Sequence, residues 1–267
     1  MLTPPCAITS LEKPMLLSYG TSQAELLYAA YGLRAVGGSS SLVYRSRELV
    51  DTTADDIDGL RALGIQTIFD LRKPKEYVKR PTVHEFGIDV VSYFFDLQDC
   101  PSRTNRTLNS CFPLSEEQPG ERMKRMYAAM AVNIPKFGRV ISDILRCQKG
   151  IVIHCANGKD RAGVLCALMM LSAGMTFGEI MDDYLLTNSA NASVNQVDFN
   201  RISQGRTTHD IDVIRSLFEA RPEYLKAFFA AGLDRYGSYD GILNDGLGLS
   251  SEERGQINDL LGCCSFR

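Results

Sequence analysis

Apolar positions recur along this chain in two periods, and their order predicts its architecture. Ile151-Val152-Ile153 is a β-branched run that reads as a short buried strand, and Val164 to Leu171 follows as an apolar helical run. Asp55 to Leu63 is patterned as a short amphipathic helix ended by Gly64, and Ile65 to Leu71 as the next strand. Leu42 to Leu49 reads as a strand after a turn at residues 31–38, and Ile88 to Leu97 as a strand running into the carboxylate of Asp96. Arg122 to Cys147 carries helical spacing through Met123, Met126, Tyr127, Met130, Ile134 and Phe137. Thr176 and Glu179 form a capping box at the start of a helix that reaches Asn188. This helix–strand alternation predicts an α/β fold with a central, mainly parallel sheet flanked by helices.

The polar intervals read differently. Residues 1–20, with Pro4, Pro5 and Pro14, are expected to lie over the surface. Asp99 to Glu121 is rich in Ser, Asn and Pro and is compatible with a lid or with a plain loop. Ser189 to Asp210 is expected to be a polar crossing or a second cover.

Composition narrows the possibilities. At 267 residues and 45% hydrophobic, the chain can bury one large core, so residues 1–267 are read as a single domain. A net charge of −3 gives no electrostatic case for nucleic acid. No apolar run approaches the ~18 residues of a membrane span. Leu11-Glu12-Lys13-Pro14 interrupts any leader-like stretch, so export is not indicated. Eight cysteines without a CxxC pair and three histidines without helical metal spacing indicate neither a disulfide framework nor a metal centre. A reducing, cytoplasmic location fits that usage.

The chemistry concentrates at residues 150–163, Gly-Ile-Val-Ile-His-Cys-Ala-Asn-Gly-Lys-Asp-Arg-Ala-Gly. A strand, a tight loop through Ala156, Asn157, Gly158, Lys159 and Asp160, and a helix starting at Arg161 gather backbone N–H groups around one point. Such a nest, backed by a helix dipole, is an anion site. The same field favours the thiolate of Cys155, the nucleophilic form, while Arg161 offers a planar fork for two phosphate oxygens. Cys100 to Arg106 has the same spacing, but Pro101 and a polar run replace the helix, so Cys100 reads as a loop cysteine. Phosphate transfer also needs an acid. Asp160 lies inside the loop and is favoured on geometry; Asp96 is the alternative.

These residues carry a resemblance. His154-Cys155-Ala-Asn-Gly-Lys-Asp-Arg161 resembles the signature loop of the protein-tyrosine phosphatase superfamily, in the Gly-Lys-Asp-Arg form of its atypical branch, typified by a mycobacterial tyrosine and lipid phosphatase. Family-like segments run from about residue 31 to 262, including Tyr44-Arg45-Ser46, Asp70-Leu-Arg-x-x-x-Glu76 and Asp183-Tyr-Leu. The resemblance implies hydrolysis of phosphate monoesters through phosphocysteine, without metal or organic cofactor. It implies phosphotyrosine substrates, and phosphoinositide or phosphoserine/threonine beside them. It places Asp96 where the family has an Asp after the strand, and makes Lys159 a second cation over the phosphate.

Around the site, Arg45 reads either as a support of the loop or as half of a structural ion pair. Arg72 and Glu76 read as an (i, i+4) pair, and Asp183 as a surface carboxylate or a buttress of the loop. One departure stands out: Ala162 occupies a position where the family has Ser or Thr. It keeps a phosphate-binding pseudoenzyme open. The Asp-x-Arg-x-x-x-Glu-Tyr run keeps rhodanese-type sulfur transfer open too, although the longer Cys-to-Arg loop favours phosphate. Oligomeric state is not legible.

Overall fold

The structure is a computed structural model that describes residues 21–38, 40–82, 87–95, 118–147 and 149–262. The expectations for residues 1–20, Asp96, Cys100 and the 99–117 interval fall outside the described residues.

Among the described residues, five strands form one sheet in the order β1-β2-β5-β3-β4. They are β1 (Arg34–Ala35), β2 (Val43–Ser46), β3 (Ile65–Asp70), β4 (Asp89–Ser92) and β5 (Gly150–His154). β1 pairs antiparallel with β2, and the other pairings are parallel. The α/β architecture expected from the alternation is therefore present. β5 is central and buried at every residue, as a strand covered on both faces must be. Its side chains alternate between two cores. Val152 joins Leu27, Ile57, Leu60 and Ile68 under helices α1 (Thr21–Tyr31) and α2 (Ala54–Ala62). Ile151 and Ile153 join the larger core on the other side.

That larger core is built by α4 (Glu121–Met130) and α5 (Ile134–Cys147), with a 3-10 turn between them, and by α6 (Arg161–Ser172). The short α3 (Pro74–Lys79) lies earlier, after β3. Beyond α6 come α7 (Phe177–Leu185), α8 (Thr187–Ala190), α9 (Ala192–Ser203), α10 (Thr208–Phe218), α11 (Pro222–Tyr236) and α12 (Ser251–Leu260). Side-chain capping boxes at Thr53–Asp56, Thr176–Glu179, Thr207–Asp210 and Ser250–Glu253 start four of these helices. No helix among the described residues is long and apolar enough to cross a membrane.

Two expectations need correction. Among the described residues of the strand read across 88–97, pairing is confined to Asp89–Ser92, because Phe95 turns inward and stacks on Phe137 at 4.5 Å between ring centroids. The interval 189–210 is largely helical, forming α9, rather than a polar crossing. Its apolar stripe is too thin to read, since only Ile202 of α9 is buried. Local pairs such as Gln196–Asn200 (2.7 Å) and Asp198–Arg201 (2.7 Å) support the helix instead.

Candidate active site

Cys155 follows β5 directly, at the carboxyl end of the central strand and between β2 and β3, where open parallel sheets place their ligand sites. It is 1% exposed. The loop behind it is anchored by its carbonyls. Glu48 N–H donates to Ala156 O (3.4 Å), Asn191 Nδ2 to Asn157 O (2.8 Å) and Arg45 Nη2 to Gly158 O (2.7 Å). In a trans peptide the next residue's N–H points opposite to the carbonyl. The N–H groups of Asn157, Gly158 and Lys159 therefore face away from those three anchors, on the other side of the loop. Gly158 is required here: its φ is +61°, and a Cβ would lie 2.3 Å from Ser46 O.

Arg161, at the first turn of α6, is held from the residue after β3 and from α3. Nη1 donates to Leu71 O (3.2 Å) and Glu76 Oε2 (2.7 Å), and Nη2 reaches Glu76 Oε1 (3.3 Å). Burial alone would raise the Glu76 carboxyl, but Arg161 overrides it and holds Glu76 ionised below its usual range. The expected Arg72–Glu76 pair is not formed. Arg72 precedes α3 instead of lying on it, so helical (i, i+4) spacing does not apply, and its fork grips Asp70 (Nη2 to Oδ2, 2.7 Å). Sequence reading thus missed Glu76 as the partner of Arg161; 85 residues separate them.

Arg45 and Asp183 resolve together. Arg45 is 0% exposed and donates to Asp183 Oδ2 (2.6 Å) as well as to the loop, so both of its expected roles are met at once. Asp183 is a buried carboxylate rather than a surface one. Arg34 shares it at 4.0 Å, and both guanidiniums reach Thr187 Oγ1, at 3.0 and 3.2 Å.

Asp160 is 7% exposed and faces α4, where Tyr127 Oη donates to its Oδ1 at 2.9 Å. Lys159, expected as a cation over the phosphate, donates to Leu217 O (2.7 Å) and Glu219 O (3.3 Å) and lies 3.4 Å from Asp160 Oδ1. It ties the loop to the turn after α10. His154 sits between Thr82 Oγ1 (3.3 Å) and Asp70 Oδ2 (3.7 Å), and burial pushes it down to about 4, so it is neutral at pH 7. Tyr127, Tyr184 and Asn191 were not foreseen as site residues; Tyr127 reads only as a helical core position and Tyr184 only as part of a family-like segment, and neither pattern says where the hydroxyl points.

A cysteine, an arginine held ready by a carboxylate and a loop with its carbonyls turned outward suit a tetrahedral oxyanion and its transfer. Comparison with known proteins agrees. A tyrosine-protein phosphatase of Nostoc commune is 27% identical over 159 residues, 58% of this chain and 51% of that protein. A Cupriavidus necator protein assigned as a tyrosine-protein phosphatase is 26% identical over 223 residues, 81% of this chain and 79% of that protein. The triple specificity protein phosphatase PtpB of Mycobacterium tuberculosis is 26% identical over 234 residues, covering 76% and 84%. The sequence profile of the tyrosine phosphatase family matches residues 34–262. The resemblance first seen in residues 154–161 thus extends through the sheet and the helices that hold them, and the chain belongs to the tyrosine phosphatase family and is a phosphatase.

Proposed function

We propose that this phosphatase works in two steps through phosphocysteine. The Cys155 thiolate attacks phosphorus in line, the S–P bond forms and the P–O bond to the leaving group breaks. Arg161 and the N–H groups of residues 156–161 hold the equatorial oxygens. Asp160 gives its proton to the leaving oxygen, and as carboxylate then takes one from the water that releases phosphate. Lys159 contributes its N–H, while its ammonium serves as a strut. No metal or cofactor takes part.

The observation that carries this reading is the set of three outward-held carbonyls, because they leave a preformed cradle of N–H groups beside Cys155. Phosphotyrosine is the proposed substrate. The mycobacterial relative is named a triple specificity phosphatase, which supports a panel wider than one substrate class; phosphoserine, phosphothreonine and phosphoinositides are proposed beside phosphotyrosine.

The test is phosphate release by the purified protein and by Cys155→Ser, over phosphotyrosine and phosphoserine peptides, phosphoinositides and an inositol phosphate. Release that vanishes in the variant supports the mechanism, and the preferred substrate sets the class. Release that survives in Cys155→Ser refutes it. Phosphate binding without release from any substrate makes the protein a pseudoenzyme.

A further inference from the structure

Asp160 is approached from behind by a line of buried hydroxyls. Tyr127, 0% exposed on α4, donates to Oδ1, and Tyr184 Oη on α7 lies 2.8 Å from Tyr127 Oη. With the Tyr127 proton directed at the carboxylate, Tyr184 must be the donor to Tyr127. The line therefore runs Tyr184 to Tyr127 to Asp160. Burial pushes both phenols well above their usual value, so they stay donors wherever the enzyme works. Aromatic packing fixes the rings. Tyr127 meets Tyr184 edge-on at 6.2 Å and Tyr224 at 5.7 Å. Lys159 Nζ lies 3.4 Å from the same Oδ1.

A hydroxyl donor and an ammonium charge therefore converge on one oxygen of Asp160. We infer that Tyr127 is a positioning residue for proton transfer: it ties down Oδ1 so that Oδ2 is the oxygen that carries and delivers the proton. The inference rests on the reading of Asp160 as the acid. In the first step the O–H bond on Oδ2 breaks and its proton goes to the leaving oxygen as the P–O bond breaks. The carboxylate left behind is stabilised by the proton of Tyr127 and the charge of Lys159, both already in place. A core that merely satisfies two buried phenols would make the same hydrogen bonds. The two roles differ in one respect: only positioning of an acid depends on how much the leaving group needs a proton.

The experiment compares kcat/KM, which reports the steps up to phosphocysteine, for phenyl phosphate and 2,4-dinitrophenyl phosphate. The second leaves as a stable anion and needs no acid, so its turnover also reports an intact site. Tyr127→Phe is expected to lower kcat/KM for phenyl phosphate about tenfold to hundredfold, and for the dinitrophenyl ester by less than about threefold. Tyr184→Phe, one step further back, should give a smaller split in the same direction. Equal losses on both substrates, or no loss on either, would overturn the inference. Asp160→Asn separates the two levels. If it splits the substrates and Tyr127→Phe does not, positioning by Tyr127 fails while the acid stands. If Asp160→Asn slows both alike, the acid assignment fails and this inference falls with it.

Discussion

Asp183→Asn should be among the most damaging changes outside the loop itself. Asp183 is the carboxylate that Arg34 and Arg45 share, at 4.0 and 2.6 Å, and the two guanidiniums are 9% and 0% exposed. Asparagine keeps an oxygen that can accept from Arg45, so shape is preserved and the loss is one of charge. What remains is two buried cations facing each other. They already oppose one another: burial first, and then Arg45, pushes Arg34 down to about 10. Removing one partner from a buried pair costs about 3–5 kcal/mol, against about 5–15 kcal/mol for a whole native state. Urea unfolding at neutral pH, extrapolated linearly, measures the loss. A second substitution tests the cause. Arg34→Met should destabilise the wild-type protein, where it breaks contacts with Asp183 and Thr187. In the Asp183→Asn background it removes an uncompensated cation and should return about 1–2 kcal/mol. Loss of less than about 1 kcal/mol in Asp183→Asn, or the same sign for Arg34→Met in both backgrounds, would refute the reasoning.

Further outcomes follow from other sites. Ala162→Thr supplies a hydroxyl beside the loop and should speed breakdown of phosphocysteine, by about 10- to 150-fold if the whole hydrogen bond falls on that barrier. A burst assay with p-nitrophenyl phosphate reads it, and unchanged steady-state turnover counts against it. Gly158→Ala places a Cβ 2.3 Å from Ser46 O at φ +61° and must push the loop off β2. Vanadate binding should be lost and kcat/KM should fall about 100-fold; retained binding would contradict the cradle. His154 is held neutral by burial down to about 4, so between pH 6.5 and 4 the unfolded chain takes a proton that the folded one refuses. Stability therefore falls with pH across that window, by about 2 kcal/mol from pH 6.5 to 5. His154→Gln should reduce that pH dependence, and an unaltered dependence would show that the imidazole is not its source.

Local signals in the sequence were enough for much of the frame. The β-branched run of β5, the Thr176–Glu179 capping box and the Gly64 stop each act within a few residues, and each appears where the pattern put it. The signature loop was legible for the same reason, since strand, turn and helix start are contiguous. What holds the loop was not. Glu76 was assigned to Arg72, its neighbour in sequence, although Arg161 is its partner in space. Asp183 reads as a surface carboxylate or a buttress of the loop, and the sequence does not choose between them because its burial depends on Arg45, 138 residues away. Tyr127 was recognised as a core position, but its hydroxyl is directed by Asp160 on another element. α9 escaped because a helix with a single buried apolar residue leaves almost no periodic trace.

The anchoring of the loop also sets when the protein can become active. Cys155 to Arg161 is a short stretch, yet Gly158 is tied 113 residues back to Arg45, Arg161 85 residues back to Glu76, and Asn157 34 residues forward to Asn191. Contacts of such separation form late, because the chain between them must first be ordered. During synthesis, strands and capped helices can assemble while the nucleophile still lacks its cradle, and Asn191 must emerge before the loop is closed. A half-made chain therefore carries the signature without the activity, and helical signal on refolding returns before the ability to hold an anion.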